Sequence, residues 1–577
     1  MTPRRLAWAL ALATFPSAPA AAQGIPSRAP SGRATVACAG QPIDDIVIYA
    51  DAPTVSNLAR FPRLAAIARA THATTRPELI RRFLLLERGD ACNELRRAES
   101  ERILRAQPFI AEAEAFVVAN EGGGVDLEVR TSDEAAIVFG GGVRAATPHV
   151  TSLLLGNANL AGLGVYSSVS WRDGRGFRDA VGARLIDHQF LGRPWIFAVE
   201  GERASLGGSW RVAGAHPFLT DLQRVAWRVR TGRSNGYIEL RQPDGVRPNV
   251  AIQRGFFDVG GILRVGNPGR LSLFGASLTG LEERPGSRLT LPESGTVRDV
   301  GPVPSLFVRH RIVRANALIG VRDITFKRVE GLDALTAAQD VPIGVQLGTL
   351  LGRSIPTPGE REEEDVFVAG DLYVGATSGI STSRLQLQAE GRRPVASRAW
   401  DGVIATGRFT HYLRFTPRHR NQMAVEFSGA YRQRTPFQLL LGVPEGGVRG
   451  YEESYYAGGQ RLVARTEERY TLGNVLGAAD AGFALFGDLG RQWAGDVPFG
   501  VTTSVKASVG VSLLAALPPQ SARVWRADLA FPVTGGANAR WTLTITNADR
   551  TAFVFRNARD VAEGREITVP SSIFAWP

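Results

Sequence analysis

Residues 441–451 read Leu-Gly-Val-Pro-Glu-Gly-Gly-Val-Arg-Gly-Tyr, and the last four, Val448-Arg449-Gly450-Tyr451, carry more information about the fold than any other stretch. The arginine stands between a small apolar residue and a glycine that is followed by an aromatic ring. The stretch comes late in a chain of short segments in which apolar and polar residues alternate. Because a period of two residues is typical of half-buried strands, the stretch is predicted to be a glycine-rich loop of a β-rich protein.

The segments that alternate in this way fill most of the chain after residue 133. We predict strands at residues 136–145, 164–171, 179–187, 195–203, 224–231, 236–241, 523–531 and 540–547, with others between them. Turn signals separate several of them, namely Asp173-Gly174, Asn235-Gly236 and Asp244-Gly245. No helical pattern of comparable length competes with this interpretation.

The length of this region predicts the number of strands. A membrane-spanning strand needs about 9 to 11 residues, so residues 133–577 have room for about 16 strands with turns and several long loops. We therefore predict a mainly β fold, dominated by a transmembrane antiparallel β-barrel. The alternative is a soluble β-sandwich or propeller, although no clear internal repeat supports a propeller.

The composition agrees with a barrel. The chain has 64 glycines and 10 tryptophans, and its mean hydropathy is −0.05. A neutral average is expected of barrel strands, since lipid-facing apolar and lumen-facing polar residues alternate along each of them. Beyond the first residues no run of 18 apolar residues occurs, which excludes α-helical spans. Only a closed barrel would then satisfy the backbone polar groups in lipid.

The net charge indicates which binding partners to expect. The chain has 67 basic and 55 acidic residues, which gives a formal charge of +12. In an exported barrel, arginines of the lumen and rim would face anionic lipid headgroups. Nucleic acid is therefore not expected as a partner.

The first residues predict export. Arg4 and Arg5 are followed by an apolar stretch at residues 6–15 and by the small residues Ala20-Ala21-Ala22. This pattern is typical of a secretory signal peptide, which we place at residues 1–22. Residues 23–35, rich in glycine, proline and serine, are predicted to be a flexible leader.

Residues 36–132 have a different pattern and predict a small α+β domain. The elements, in order, are a strand at residues 43–49, helices after Thr75 and at 93–106, and strands at 112–120 and 125–131. Thr75-Arg76-Pro77-Glu78 has the spacing of a capping box, so we expect Thr75 to cap the first helix. The predicted order is β-α-α-β-β.

Both cysteines of the chain, Cys38 and Cys92, fall in this domain. An even count in an exported protein favours a disulfide between them, and closing such a loop would stabilise the domain by about 4 kcal/mol. The alternative is two reduced or distant thiols. Zinc is not expected, because no histidine lies near either cysteine.

Val448-Arg449-Gly450-Tyr451 resembles the loop motif of the BamA/TamA-like outer-membrane protein assembly family. In that family the loop folds back into the barrel lumen, which implies an inward-folded loop around residues 440–455 here. Its arginine meets acidic residues on the inner wall of the following strands, and Arg449 matches that arginine. A planar guanidinium in a polar lumen favours a bidentate carboxylate partner.

The partners implied by the resemblance lie downstream. Leu485-Phe486-Gly487-Asp488-Leu489-Gly490 resembles the family's Phe-x-Asp-x-Gly strand motif, with Phe486 and Gly490 as its fixed positions and Asp488 as the partner of Arg449. Glu467 stands where the family often has an inward glutamate, and its neighbour Glu468 is the alternative.

The resemblance extends over nearly all of the mature chain. The β-α-α-β-β domain resembles a POTRA domain, which in this family is periplasmic and holds client chains partly through a free strand edge. A small plug or spacer domain is the alternative. Residues 156–164 and 526–532 resemble the start and the penultimate strand of such barrels. The chain departs from the family in having one POTRA-like unit and in its tail, which is unassigned from about residue 548.

The resemblance implies a non-enzymatic protein of the bacterial cell outer membrane, with the POTRA-like domain in the periplasm. It would insert or translocate client polypeptides through POTRA capture and a lateral seam between strands 136–145 and 540–547. The expected partners are unfolded outer-membrane or secreted client polypeptides, outer-membrane lipids and periplasmic accessory proteins. The alternatives are a two-partner-type secretion pore dedicated to one client and a passive pore or scaffold.

Other chemistry finds little support. Gly232-Arg233-Ser234-Asn235-Gly236 fits the Gly-x-Ser-x-Gly pattern, but a nucleophile elbow needs a strand that leads into a helix, and this stretch lies between two strand-like runs. The seven histidines show no metal-ligand spacing, and no phosphate-binding loop is present. We therefore predict no catalytic residues, no metal site and no cofactor.

Overall fold

The computed structural model describes most of the chain, namely residues 29–52, 73–144, 149–173, 179–293, 296–356, 364–397, 399–443, 446–452, 454–475, 477, 479–535, 540–546 and 557–566. The predicted signal peptide at residues 1–22 and the first part of the predicted leader lie outside the described residues. So do residues 547–556 and 567–577 of the tail.

The amino-terminal part is a small α+β unit, which we call the small domain. Its elements are β1 (Ala39–Asp51), α1 (Pro77–Arg81), β2 (Ala91–Asn93), α2 (Glu94–Arg105), β3 (Ile110–Ala119) and β4 (Val125–Asp133). The four strands form one sheet in the order β2-β1-β4-β3. Strand β1 runs parallel to β4, whereas the other two pairs are antiparallel. Apart from the short β2, the order of elements is the one expected from the sequence.

Buried apolar side chains from the helices and the sheet form the main core of this domain. They include Ile43, Ile46, Leu79, Ile80, Phe83, Leu86, Ile103, Leu104, Phe109, Val117, Leu127 and Val129. Burying one such large side chain contributes roughly 1.5 to 3 kcal/mol. This core, more than helix propensity, holds the five-residue α1 in place.

The two helices begin differently. The side chain of Asn93 caps α2 by accepting a hydrogen bond of 3.1 Å from the backbone N–H of Arg96. The capping box predicted for α1 is wrong. Its N-cap is Arg76, with no side-chain hydrogen bond, because the hydroxyl of Thr75 donates to the carboxylate of Asp133 at 2.6 Å.

The rest of the described chain is a closed antiparallel barrel. Its wall strands are β5 (Ile137–Arg144), β6 (His149–Asn157), β7 (Val165–Arg172), β8 (Ala180–Asp187), β9 (Ile196–Ala204), β10 (Gly207–His216), β11 (Val225–Glu239), β12 (Asn249–Asn267), β13 (Arg270–Glu293), β15 (His310–Glu330), β16 (Ala338–Ser354), β17 (Asp365–Ser378), β18 (Ser381–Pro394), β19 (Asp401–Arg414), β20 (His419–Tyr431), β23 (Gln460–Val475), β24 (Ala479–Trp493), β25 (Lys506–Ala516), β26 (Val524–Pro532) and β27 (Thr542–Thr546). Each pairs with its neighbour along the chain, and β27 closes the barrel beside β5.

Three further strands and one helix are not part of the barrel wall. Strand β14 (Thr296–Pro302) pairs with the end of β13 and extends it as a hairpin. Strands β21 (Leu439–Leu440) and β22 (Ala457–Gly458) pair within the loop that joins β20 to β23. Helix α3 (Arg559–Gly564) follows the last wall strand.

The described residues contain twenty wall strands, so the prediction of about 16 was too low. The cause is the first part of the barrel. Strands β5 to β10 have only 8 to 10 residues each. Short turns join several of these strands, so this part of the chain contains more strands than the length estimate allowed.

One predicted turn is also wrong. Asn235-Gly236 lies inside β11, where Asn235 pairs with Gln253 and Gly236 with Ile252 of β12. Pairing on this strand therefore overrides the local turn preference, and the two segments predicted at 224–231 and 236–241 form one strand.

The wall is polar inside and apolar outside. In β15, buried and exposed residues alternate along most of the strand. Arg314 and Arg322 point inward and are each 2% exposed, whereas Ile319 and Val321 point outward and are about half exposed. The alternation is the reverse of a soluble barrel, whose core would be apolar.

The small domain lies at one end of the barrel. It contacts the turns that precede β7 and β9, as well as the turn between β25 and β26. We call this the domain end and the opposite end the far end. The loop from β20 to β23 starts at the far end, because β20 runs away from the domain.

Candidate functional site

The loop between β20 and β23 folds into the lumen. Its short hairpin pairs Leu439 with Gly458, and the N–H of Val448 donates to the carbonyl of Leu441 at 2.8 Å. Leu441, Val448 and Tyr451 form a buried cluster with Val463 of the wall. The described residues of this loop therefore pack against the inner face of the wall.

Arg449 is bound to Asp488 at three points. Its Nε and Nη2 atoms donate to the two carboxylate oxygens at 2.8 and 2.7 Å, and its backbone N–H donates at 3.2 Å. Both side chains are buried, at 2% and 1% exposure. The guanidinium also lies 3.3 Å from the centroid of the Phe486 ring. Bidentate pairing and the ring together fix both the position and the plane of the guanidinium.

Two further carboxylates complete the acidic wall around Arg449. Asp528 of β26 accepts from Nη1 at 3.4 Å, and Glu467 of β23 lies 3.9 Å from the same atom. Glu467 is bonded more closely to Arg526, at 2.8 Å, and to Arg469, at 2.7 Å. Arg526 in turn donates to Asp528 at 3.0 Å.

The result is a network of three arginines and three carboxylates on four neighbouring elements. Charges buried in this way are costly unless they are paired, and removing one partner typically costs about 3 to 5 kcal/mol. Every acid of the network faces at least one guanidinium within 3.0 Å. The network therefore holds the loop against β23, β24 and β26 in one arrangement.

The residues on either side of Arg449 fit the wall closely. Gly450 has φ +84°, and a Cβ there would lie 2.8 Å from Cγ of Pro532. The hydroxyl of Tyr451 contacts the carbonyl of Thr534 and, at 2.8 Å, its Oγ1. A Cβ on Gly490 would collide with a methyl group of Val448. A side chain at either glycine would thus push the loop away from the wall.

The structure brings together the loop residues Val448, Arg449, Gly450 and Tyr451 with Asp488, Phe486 and Gly490 of β24. Glu467 lies in the same network, while Glu468 is on the other side of β23 and pairs with His419 at 2.8 Å. Sequence reasoning missed Asp528 and Arg526. Both belong to the stretch 526–532 that resembles the penultimate strand, and the available signal was their alternation onto the same face as the lumen residues.

A second group of contacts joins the small domain to the barrel. Asp133, at the end of β4, accepts from the Thr75 hydroxyl at 2.6 Å and from the Thr75 N–H at 2.7 Å. Asn159 of the turn before β7 donates to the Thr75 hydroxyl at 2.7 Å. Burial raises the pKa of Asp133 to about 6, although the two bonds from Thr75 oppose that shift. This polar cluster is the joint between domain and wall.

The stretch that resembled the start of a barrel forms this joint. It contains a 3₁₀ turn at Leu160–Gly162, and the carbonyl of Gly162 accepts from the Arg76 N–H at 3.1 Å. The turn before β9 repeats the geometry, and the Gln189 amide donates to the carbonyl of Leu79 at 2.9 Å. Arg105 of α2 makes a two-point contact with Asp340 at 2.9 Å. The domain is therefore attached to several turns of the barrel.

The other sequence-predicted residues of the small domain are Cys38 and Cys92. They are joined by a disulfide that links the residue before β1 to β2, with a sequence separation of 54 and a Cα–Cα distance of 5.2 Å. The bond ties a strand that precedes α1 to the segment that opens α2.

The described end of the leader covers one edge of the sheet. Thr35 forms a bridge with Val118 of β3, and the N–H of Val36 donates to the carbonyl of Val117 at 2.8 Å. Arg33 bonds Asp126 and Glu128 at 2.8 Å each. The outer edge of β3 is thus partly occupied by the chain itself.

The described ranges contain no candidate metal site. No three histidine, cysteine, aspartate or glutamate side chains come together there as a metal site would require.

None of the helices in those ranges is long and apolar enough to cross a bilayer.

No protein-family model and no curated protein matches the sequence. Among solved structures, the chain is similar to BamA from Haemophilus ducreyi lacking POTRA domains 1–3, with 13% identity over 88% of this chain and 84% of that one and a TM-score of 0.38. It is also similar to CdiB from Escherichia coli, with 12% identity over 88% and 76% of the chains and a TM-score of 0.39. For CdiB from Acinetobacter baumannii the identity is 10%, the coverage 88% and 73%, and the TM-score 0.38.

Proposed function

We propose that this chain is a non-enzymatic outer-membrane β-barrel protein of the assembly or translocation type, which inserts or translocates client polypeptides. The observation that carries the proposal is the loop of Val448-Arg449-Gly450-Tyr451, bound by Arg449 to Asp488 inside a closed barrel. A loop held by a buried charge network keeps one position, because moving it would leave buried charges unpaired.

The outer surface supports a membrane location. Large apolar side chains project outward with 40 to 70% of their surface exposed, among them Leu155, Val169, Ile319, Val321, Leu485, Leu489, Val509 and Leu513. A soluble protein rarely exposes so continuous an apolar surface, whereas a barrel in lipid requires it. In a bacterium such a barrel belongs to the outer membrane, and outer-membrane lipids would contact this band.

The small domain would act as a POTRA-like periplasmic domain. Its sheet has β3 as an edge strand, and an extended client segment can add to such an edge through main-chain hydrogen bonds. The leader, which pairs with β3 through Thr35 and Val36, would give way when a client binds. Periplasmic accessory proteins would use the same exposed domain.

The lateral seam would lie between β5 and β27, the strands that were expected to form it. β27 has five residues and is the shortest of the described wall strands. A short pairing is weaker than a long one, and its opening exposes an edge that a client strand can occupy.

The filled lumen favours this function over a passive pore. The loop of Arg449 and the segment 557–566 both lie inside the barrel, so a wide open channel is not the resting form. A secretion pore dedicated to one client shares the architecture and is the second candidate.

The test is reconstitution. We expect vesicles that contain the protein, with the small domain accessible, to accelerate the insertion of an unfolded β-barrel client, measured as the protease-protected fraction over time. Vesicles with an unrelated porin-type barrel are the control. Absence of acceleration with high steady conductance would assign a passive pore. Transfer of one exported chain without insertion of barrel clients would assign the dedicated secretion pore.

A further inference from the structure

The carboxyl-terminal segment at residues 557–566 lies inside the barrel. Strand β27 runs toward the domain end, yet Asn557 donates to Gln388 of β18 at 3.1 Å, and Glu566 contacts Arg314 of β15 at 2.5 Å. Residues 557–566 thus lie back along the lumen from the end of β27. We call residues 557–566 the lumen segment.

The first contact of this segment is an ion pair, in which Arg461 of the wall binds the carboxylate of Asp560. The carboxylate of Asp560 accepts from both terminal nitrogens of Arg461, at 2.5 and 3.2 Å, and from the N–H of Leu440 at 2.9 Å. Arg461 is 1% exposed. A buried guanidinium of this kind requires an anionic partner, and Asp560 supplies it.

The second contact is apolar. Ala558 and Val561 pack with Phe437, Leu439 and Ile404 in one buried cluster. This seat is formed by β19 and by the same inward loop that carries Arg449. It receives Ala558 and Val561 from the start of α3, and each of them is 1% exposed.

The third contact reverses the charges. Arg565 bonds Glu390 at 2.9 Å and the Thr406 hydroxyl at 2.8 Å. The N–H of Glu566 donates to the other oxygen of Glu390 at 2.9 Å. The lumen wall thus offers the cation of Arg461 and the anion of Glu390, and the segment pairs with them through Asp560 and Arg565.

The opposite face of the segment carries Arg559 and Glu563, and the backbone carbonyl of Glu563 accepts a hydrogen bond from Arg254 of β12 at 3.1 Å. Arg559 and Glu563 pair with each other at 2.7 Å, and both are more than half exposed. They line two adjoining lumen cavities of about 500 and 640 Å³ beside strands β8 to β12. The segment therefore lies between strands β15 to β23 on one side and these cavities beside β8 to β12 on the other, and it reduces the open cross-section of the lumen.

We propose that this part of the lumen is a peptide-binding site, and that residues 557–566 are its resident ligand and act as a removable plug. The inference rests on the proposed function, in which a polypeptide enters the lumen. A helix of six residues is marginal alone, so the segment is held by its contacts with the wall. When it leaves, Arg461 and Glu390 lose these partners.

The site defines the chemistry of what would replace the plug. The fitting ligand is a polypeptide segment with an acidic residue, a small apolar residue next to it and a basic residue five positions after the acid, as in Asp560, Val561 and Arg565. A client segment with this pattern would displace the plug and enter the lumen in the same step.

Thiol labelling of the full-length protein tests the site. A single Val561→Cys substitution places a thiol in the apolar seat, where we expect slow reaction with a maleimide. Adding Asp560→Asn should raise the rate at least about tenfold, because tenfold corresponds to about 1.4 kcal/mol and losing one partner of a buried charge pair costs more than that. Adding Glu563→Gln, on the exposed face, should leave the rate unchanged.

A synthetic peptide of residues 557–566 provides the second arm. In excess it should speed the labelling of the full-length protein by competition, while the same peptide with asparagine for Asp560 should not. Equal effects of both peptides, or no effect of Asp560→Asn on the rate, would overturn the site. If the site holds but Asp560→Asn leaves the single-channel conductance unchanged, the plug role is wrong. The labelling experiment needs no client polypeptide. A negative result would therefore refute the peptide-binding site, whereas a negative insertion assay would refute the proposed function.

Discussion

Arg449 and Asp488 are 39 positions apart in sequence, and the arginine meets the carboxylate with two side-chain nitrogens and its own backbone N–H. The third bond ties the main chain of the loop to the wall, so the contact does not depend on the flexible arginine side chain alone. The pair fixes the loop in direction as well as in place.

Arg449→Ala should release the loop while the barrel stays assembled. The change removes a guanidinium from three carboxylates and should weaken loop docking by about 3 kcal/mol or more. Arg449→Lys should restore little, because an ammonium cannot make the two-point contact. Limited proteolysis of the loop, together with client insertion, measures this. Arg270→Ala, at a residue whose side chain is 87% exposed, is the control, and wild-type protection of the loop in Arg449→Ala would refute the clamp.

Gly490→Ala should displace the loop without altering any charge. Its new Cβ would collide with Val448, whereas a Cβ on Gly487, in the same strand, would meet its nearest neighbour at 3.8 Å. We therefore expect faster hydrogen exchange in the loop for Gly490→Ala and no change for Gly487→Ala. Equal exchange in the two variants would show that the close approach of Val448 is unimportant.

The joint at Asp133 should weaken as the pH rises. The folded pKa of about 6 lies above the usual 3.8, so the folded state holds this proton more tightly than the unfolded state does. The contribution to stability is complete below pH 4 or so, falls as the pH rises through about 6 and is then constant, with a total change on the order of 3 kcal/mol. Protection factors of α1 measured from pH 4 to pH 8 would show it. Asp133→Asn should abolish this part of the pH dependence, and persistence of the same profile would contradict the assignment.

Loss of the Cys38–Cys92 bond should destabilise the small domain. For a loop of 54 residues the chain-entropy model gives about 4 kcal/mol. Thermal melting with and without a reductant, compared with the Cys38→Ser, Cys92→Ser double variant, measures this loss. The barrel serves as an internal control, because its electrophoretic mobility without heating should not change. A reduced domain that melts as the oxidised one does would refute the prediction.

The alternation of side chains made the class of fold predictable, and the motif made part of the site predictable. The resemblance of the motifs placed Glu467 and Asp488 on the lumen wall, whereas alternation alone shows only which residues share a face of a strand. Alternation does not show how far neighbouring strands are shifted along each other. Asp528 was missed for this reason, since its approach to Arg449 depends on the stagger of β24, β25 and β26.

Local turn chemistry was a weaker guide. Asn235-Gly236 favours a hairpin turn in isolation, but pairing with β12 on one side and β10 on the other keeps it extended. Thr75 likewise has the local pattern of a helix cap, yet a buried carboxylate from β4 takes its hydroxyl. Both errors arise where a distant partner competes with a neighbour in sequence. The lumen segment had no pattern of its own, because each of its contacts is made with a residue far away along the chain.

The turns that hold the small domain lie on both sides of the place where β27 meets β5. Asn159, in the turn after β6, bonds Thr75, while Glu134, just after β4, accepts from the Ser521 hydroxyl at 2.7 Å and from the Ala522 N–H at 3.0 Å in the turn before β26. The domain thus bridges the junction of β27 and β5 at its own end of the barrel. Under the proposed function, a wall held together at the domain end would open first at the far end, and a client strand would then pair with the opened edge from the far end toward the domain end.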